Sequence, residues 1–291
     1  MYKTISYVID ADGILTITLN RPEQMNSFTV EMSGELREAF IQADADDSVK
    51  VVVVTGAGKA FCAGMDLSAD GNVFGLNEAI QPTLDDMNNC LDDPEIHDGI
   101  RDEGGKLTLE IYKCRKPIIA AINGAAVGIG ATMTCAMDIR LASEKARVGF
   151  VFNKIGIVPE ACSSWFLPRI IGLPKSLELC FTGDIIDGAE AKEIGFVTKV
   201  LPAEELLDEA YALARRIAKH SPVALALTRQ MLYRNSAKGH PLEAHKIDSL
   251  GMFYQSIADG KEGVSAFLEK RPAEYKQKCS MDMPSFYPWE D

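Results

Sequence analysis

The stretch Ala121-Ile-Asn-Gly-Ala-Ala-Val-Gly-Ile-Gly-Ala131 decides the fold of this chain. The apolar residues 117–122 predict a buried strand, and the small and apolar residues from Ala131 onward predict a helix. Backbone N–H groups at a helix start have no partner within the helix, and the helix dipole favours negative charge there. The stretch therefore predicts a site for a phosphate or for a developing oxyanion.

A second strand followed by glycines lies earlier in the chain, at Val51-Val-Val-Val-Thr-Gly-Ala-Gly-Lys-Ala-Phe-Cys-Ala-Gly-Met-Asp-Leu67. It lacks the glycine spacing of a phosphate-binding P-loop, and no Ser or Thr follows Lys59. Gly124, Gly128 and Gly130 also lack the spacing of the dinucleotide-binding fingerprint. Together, the two turns favour an oxyanion over a nucleotide phosphate.

These stretches resemble the crotonase (enoyl-CoA hydratase/isomerase) superfamily. The resemblance covers residues 4–271 except a segment near 69–105. It is carried by Leu19-Asn-Arg-Pro22, Gly58-Lys-Ala-Phe-Cys-Ala-Gly-Met-Asp66, Pro117-Ile-Ile-Ala-Ala-Ile-Asn-Gly124, Cys135-Ala-Met-Asp-Ile-Arg140, Leu179-Cys-Phe-Thr-Gly183, Ala191-Lys-Glu-Ile-Gly-Phe-Val197 and Glu262-Gly-Val-Ser-Ala-Phe-Leu-Glu-Lys-Arg271. These motifs are specific for the superfamily and much less specific for the reaction.

The hydrophobic pattern predicts an α/β fold. Alternating residues over 4–9 and 13–19 predict two strands joined by a turn, and the apolar spacing over 29–43 predicts a helix. Strands and helices then alternate as far as residue 200. The resemblance implies that residues 1–200 form a crotonase-like ββα spiral core.

Three further segments are distinguished by their composition. Residues 69–105 are rich in Asp, Asn and Gly, and we interpret them as an active-site cover with one or two short helices; the alternative is an acidic loop without a role. Apolar stripes predict helices in residues 201–271, and the resemblance implies that this C-terminal helical region is a trimerisation region. Residues 272–291 are interpreted as an arm that packs on the surface.

Composition restricts the classes of partner. The chain has 291 residues and a net charge of −12, which argues against nucleic acid as a partner. No apolar run is long enough to span a membrane, and the N-terminus lacks a signal region. Seven irregularly spaced cysteines and the absence of a metal-ligand pattern predict a cytoplasmic protein with reduced thiols and no metal.

The resemblance implies that the substrate is an acyl-CoA thioester and that coenzyme A enters only as part of it, with no separate cofactor. Removing a proton from the alpha carbon makes the thioester enolate-like, and two N–H donors stabilise the resulting oxyanion. The resemblance assigns these donors to the backbone N–H groups of Met65 and Ile129. The positions it implies for acyl-CoA binding are Met25, Lys59, Ala60, Phe61, Ala63, Asp66, Leu67, Ser68, Thr132, Phe152, Phe267 and Lys270.

The residues available for proton transfer differ from those of family hydratases. Thr132 and Phe152 stand where the resemblance places the two hydratase glutamates, so the usual pair is missing. Pro159 predicts a helix start, with Glu160 in the first turn. A glutamate there commonly offsets the helix dipole, but the segment is similar to that of 3-enoyl-CoA to 2-enoyl-CoA isomerases. The resemblance therefore implies that Glu160 moves a proton from C2 to C4 of a 3-enoyl-CoA.

Three other functions stay open. The first is an enoyl-CoA hydratase, in which Asp85, Asp86 or His97 of the 69–105 segment assists Glu160. The second is a paralogue that binds acyl-CoA without catalysis. The third is hydrolysis or dehalogenation through a carboxylate nucleophile. The resemblance also implies a homotrimer or a dimer of trimers.

Overall fold

Two β-sheets organise the computed structural model, which describes residues 2–68 and 72–289. The larger sheet has six strands in the order β1-β2-β3-β5-β7-β10, and the smaller has four in the order β4-β6-β8-β9. Only the β1–β2 and β8–β9 pairs are antiparallel among these described strands. The strands are β1 (Ile5–Ile9), β2 (Ile14–Leu19), β3 (Val51–Gly56), β4 (Ala60–Cys62), β5 (Ile118–Ile122), β6 (Ala125–Val127), β7 (Ile139–Ser143), β8 (Arg147–Gly149), β9 (Ile185–Asp187) and β10 (Lys199–Leu201).

Helices cover both sheets and extend beyond them. They are α1 (Val30–Ala45), α2 (Leu84–Asn89), α3 (Pro94–Gly99), α4 (Glu103–Lys113), α5 (Ile129–Cys135), α6 (Ser163–Ile171), α7 (Leu173–Thr182), α8 (Gly188–Glu193), α9 (Leu206–Ile217), α10 (Pro222–Asn235), α11 (Pro241–Ile257) and α12 (Asp259–Glu269). No helix among the described residues is both long and apolar enough to cross a membrane.

The larger sheet is buried on both faces, which explains the unbroken valine run of β3. Val52 and Val54 pack into the main core, whereas Val51 and Val53 pack with α9 on the opposite face. Neighbouring side chains of a strand point to opposite faces, so a parallel strand covered on both sides needs apolar residues throughout. The α/β prediction, the first hairpin and the helix predicted over 29–43 are confirmed.

The 69–105 segment folds into the predicted short helices. Helices α2 and α3 lie within it, and α4 begins at its end, while residues 69–71 lie outside the described residues. Each of the three helices has a side-chain cap at its N-terminus, from Thr83, Asp93 and Asp102 respectively. The acidic and polar residues of this segment therefore serve in part as helix caps.

The prediction that a helix starts at Pro159 is wrong. Helix α6 begins at Ser163, because Ala161 and Cys162 have φ values of 57° and 53° in the left-handed region. Two consecutive left-handed residues cannot continue a right-handed helix. Glu160 therefore lies in a turn before the helix and not in its first turn.

Candidate active site

A cavity of about 190 Å³ lies between the two glycine-rich loops and the 72–105 segment. Residues from both loops, including Met65 and Ile129, line one side, and Glu160 lies in the same lining. The remaining wall is largely apolar and includes Phe28, Phe74, Leu76, Phe152, Ile155 and Ile157. An apolar pocket with a few converging polar groups is typical of a binding site for a small molecule.

The two glycine-rich loops meet at the cavity. A glycine with positive φ precedes Met65 in one loop and Ile129 in the other. Gly64 has a φ of 109° and Gly128 a φ of 55°. A Cβ added to Gly64 would lie 3.3 Å from the carbonyl oxygen of Val127, so the loops are in close contact. Within the described chain, no backbone hydrogen bond outside the regular elements uses the N–H of Met65 or Ile129. Both donors are therefore available to a ligand.

A network of polar side chains fixes the loop that carries Met65. Asp66 accepts a hydrogen bond from Arg21 Nη2 at 2.8 Å and one from the Ser68 hydroxyl at 2.5 Å. The bonds from Ser68 and Arg21 hold the pKa of the Asp66 carboxyl well below its usual range. Asn26 is fully buried and donates to the carbonyl oxygens of Ala57 and Ala60, both at 2.8 Å. Asp66 is thus a permanently ionised anchor of the loop.

Glu160 is positioned by the turn before α6. Its carbonyl oxygen accepts hydrogen bonds from the Ser163 backbone N–H at 3.0 Å and the Ser163 hydroxyl at 2.6 Å. Left-handed backbone at a residue other than glycine is strained, and such strain is often found at functional sites. Glu160 directly precedes the strained residues Ala161 and Cys162 and lines the cavity.

The Glu160 carboxyl has a hydroxyl donor on one oxygen and a glycine beside the other. The Thr132 hydroxyl donates to Oε1 at 2.7 Å. A Cβ added to Gly104 would lie 1.8 Å from Oε2 and 2.6 Å from Cδ1 of Ile129. Only glycine therefore fits at position 104 with the carboxyl in this place. Burial raises the pKa of Glu160 to about 8, the Thr132 hydrogen bond opposes that rise, and nearby Asp102 adds to it.

Asp102 is the residue that the sequence analysis missed. It lines the cavity, and its Oδ1 accepts hydrogen bonds from the backbone N–H groups of Gly105 at 2.5 Å and Ala161 at 3.1 Å. The signal in the sequence is an N-cap aspartate followed by two glycines, Asp102-Glu-Gly-Gly105, at the start of an amphipathic helix.

The acids named instead of Asp102 serve other local roles. Asp86 forms a capping box with Thr83, Asp85 accepts a hydrogen bond from Asn89, and His97 pairs with Asp98. None of Asp85, Asp86 or His97 is among the described residues that line the cavity.

The residues predicted to bind acyl-CoA fall into three groups. Ala63, Leu67 and Phe152 line the cavity with Met65 and Ile129. Thr132 is fully buried and donates a hydrogen bond to Glu160. Asp66 anchors the loop that carries Met65. The others lie outside the described lining of the cavity, namely Met25, Lys59, Ala60, Phe61, Ser68, Phe267 and Lys270. Ala60 and Phe61 are buried in β4, whereas Lys59, Phe267 and Lys270 are exposed to solvent.

Asp138 and Arg140, in the matched Asp-Ile-Arg strand, hold the framework together. Asp138 forms an ion pair with Arg229 at 2.9 Å and accepts a hydrogen bond from Tyr233 at 2.9 Å. Arg140 donates to three carbonyl oxygens, including that of Phe196 at 2.6 Å. Both side chains are therefore used within the structure.

Known proteins are similar to this chain over most of its length. The enoyl-CoA hydratase/isomerase family model matches residues 10–93 and 83–278. An enoyl-CoA hydratase of Alternaria alternata is 42% identical over 266 residues, which cover 90% of this chain and 82% of the relative. The 1,2-epoxyphenylacetyl-CoA isomerase of Escherichia coli is 36% identical over 270 residues, or 91% of this chain and 96% of the relative.

Solved structures give the same assignment. The crystal structure of an enoyl-CoA hydratase from Bacillus anthracis matches with a TM-score of 0.81 and 31% identity, covering 94% of this chain and 99% of that one. The chain is therefore an enzyme of the enoyl-CoA hydratase/isomerase family, within the crotonase superfamily.

Proposed function

We propose that this enzyme shifts the double bond of a 3-enoyl-CoA to give the 2-enoyl-CoA. The observation that carries the proposal is the position of Glu160, whose carboxyl shares an apolar cavity with Met65 and Ile129, whose N–H groups have no backbone partner among the described residues. Thr132 and Phe152 stand where the resemblance places the two hydratase carboxylates, and we assign the proton transfer to Glu160.

The two backbone donors stabilise the charge that develops on the thioester oxygen. When a proton leaves C2, the electrons of the C–H bond move towards the carbonyl and form a dienolate. Hydrogen bonds from Met65 and Ile129 to that oxygen strengthen as its charge grows. The loss of one such donor raises the barrier by about 3 kcal/mol, and the backbone supplies both donors without reorganisation.

Glu160 carries the proton between two carbons of the substrate. The ionised carboxylate removes the C2 proton, and the resulting carboxylic acid returns it to C4, so that the C3–C4 double bond moves to C2–C3. No water is consumed. A pKa of about 8 makes Glu160 a stronger base than an ordinary glutamate, while a useful fraction is ionised near neutral pH.

The rest of the acyl-CoA would bind around this centre. The apolar wall suits an acyl chain, and the anionic coenzyme A portion would lie near Lys59, with Met25, Ala60, Phe61 and Ser68 shaping the loop beside it. Phe267 and Lys270 would reach the coenzyme from a neighbouring subunit of a homotrimer or a dimer of trimers. Large exposed apolar side chains on α11 and α12 support such an assembly, among them Leu242, Met252, Phe253, Val264, Phe267 and Leu268. A cytoplasmic location and the absence of a separate cofactor or metal remain part of the proposal.

Hydration of a 2-enoyl-CoA is the second candidate. Asp102 places another carboxylate in the cavity beside Glu160, and two carboxylates are suited to activating water and delivering a proton. Several similar proteins are also named enoyl-CoA hydratases.

One assay on the purified protein distinguishes the two reactions. We would supply 3-hexenoyl-CoA and crotonyl-CoA separately and follow the absorbance of the conjugated thioester. Absorbance that grows from 3-hexenoyl-CoA, with little loss from crotonyl-CoA, supports isomerisation. Rapid loss of absorbance from crotonyl-CoA identifies hydration and contradicts the proposal.

A further inference from the structure

One oxygen of Asp102 joins two segments that are distant in the sequence. Asp102 Oδ1 accepts a hydrogen bond from Gly105, in the first turn of α4, and another from Ala161, which follows Glu160 directly. The Ala161 N–H lies in the left-handed turn that precedes α6. This contact therefore ties the turn that carries Glu160 to the end of the 72–105 segment.

The two glycines after Asp102 make room for both carboxyls. The space for a Cβ at Gly104 is filled by Oε2 of Glu160, 1.8 Å away, and the space at Gly105 by Oδ2 of Asp102, 2.6 Å away. Two successive glycines at a helix start weaken the helix, since each is worse than alanine by about 0.5–1 kcal/mol. The carboxyls of Glu160 and Asp102 approach the backbone of Gly104 and Gly105 closely, which explains why both positions are glycine.

Few other charges face Glu160. Glu103 also lines the cavity, but its Oε1 forms a buried ion pair with Lys106. Burial raises the pKa of each neighbouring thiol, so these groups are neutral at working pH; the thiols are Cys62, Cys135 and Cys162. Among the described residues that line the cavity, Asp102 is therefore the carboxyl outside an ion pair that acts on Glu160 from another element.

We infer that Asp102 is a positioning residue: its Oδ1 holds the turn that carries Glu160 against the first turn of α4, and its charge acts on the Glu160 carboxyl beside it. The inference rests on the proposed role of Glu160 as the base. It gives the 72–105 segment a chemical role, because that segment supplies a carboxylate that determines when the base is active.

Two substitutions separate the two roles of Asp102. Asp102→Asn keeps a carbonyl oxygen for the Gly105 and Ala161 donors but removes the charge. Asp102→Ala removes both the acceptor and the charge. Asp93 caps α3 in the same segment and lies outside the described cavity lining, so Asp93→Asn and Asp93→Ala are the matched controls.

We would measure isomerase kcat and kcat/KM against pH, and titrate Glu160 by carbon NMR of protein labelled at the glutamate side-chain carboxyl carbon. Comparison with Glu160→Gln identifies its signal. In Asp102→Asn, we expect the titration of Glu160 and the rise of activity with pH to move down by about one unit, since a like charge has been removed. In Asp102→Ala, we expect the same displacement together with a fall of about tenfold or more in the plateau kcat, because the turn is released. Both Asp93 variants should keep the wild-type profile.

The NMR titration keeps this inference separate from the identity of the reaction. If Asp102→Asn lowers the titration of Glu160 but the wild-type enzyme isomerises no 3-enoyl-CoA, the charge role is supported and the proposed function fails. If the wild type isomerises and Glu160 titrates identically in Asp102→Asn, the charge role is overturned. A plateau kcat in Asp102→Ala equal to that in Asp102→Asn overturns the positioning role.

Discussion

The two halves of the candidate active site are built in different ways. The donor half consists of the Met65 and Ile129 N–H groups, which are presented by backbone turns after glycines. The carboxyl half consists of Glu160, Thr132 and Asp102, which come from three separate segments and meet through side-chain contacts. The comparison shows that a backbone site depends on the local chain path, whereas a side-chain site depends on several distant segments.

Glu160→Gln should have the largest effect, because it removes the proposed base and leaves the donor half intact. We expect kcat for 3-enoyl-CoA isomerisation to fall by about 10³-fold, within the range that general acid–base groups contribute. Stopped assays with 3-hexenoyl-CoA measure this loss, and circular dichroism checks that the fold is unchanged. Turnover at the wild-type rate would refute the role of Glu160.

Gly104→Ala tests whether the carboxyl half tolerates a single added methyl group. The new Cβ would lie 1.8 Å from Oε2 of Glu160, so the carboxyl must move. A displacement of about 1 Å reduces activity by roughly 10²-fold, and we expect a loss of that size in kcat.

The matched control for this variant is Gly34→Ala in α1, where an added Cβ meets nothing within 4 Å. It should keep full activity and raise the free energy of unfolding by about 0.5–1 kcal/mol, because alanine is the better helix former. Equal activity of the two variants would contradict the close fit around Glu160.

A strand, a glycine turn and a helix start are local signals, and they predict an oxyanion site in the sequence; the family resemblance then assigns its donors to Met65 and Ile129. The surroundings of Glu160 were less accessible. Pro159 is typical of a helix start, and nothing nearby in the sequence indicates that Ala161 and Cys162 adopt left-handed backbone. Asp102 was missed because its contact with Ala161 spans 59 residues and depends on the folding of the 72–105 segment.

Thr132→Val changes the carboxyl half without removing a carboxyl. The hydroxyl stabilises ionised Glu160, so its loss should raise the pKa of Glu160 above about 8. A base works when ionised, and activity therefore rises with pH through this pKa. We expect the rise to move to higher pH, opposite to Asp102→Asn, and kcat at neutral pH to fall by about tenfold.

Thr134→Val is the control, since Thr134 lies buried in the same helix and donates to the Ala131 carbonyl at 2.7 Å. Its pH profile should match the wild type. A downward displacement in Thr132→Val would contradict the assigned direction of the hydrogen bond.

Met65→Ala should have the smallest effect, because the donor half uses the backbone N–H and the substitution preserves it. Gly64, which supplies the unusual backbone, and Asp66, which anchors the loop, are both unchanged. The side chain contributes only to the apolar lining, so we expect KM to rise by a few-fold and kcat to remain within about threefold of wild type. Steady-state kinetics with acyl chains of different length measure both parameters. A hundredfold fall in kcat would mean that the donor half depends on its side chains as strongly as the carboxyl half does, and the distinction between the two would be lost.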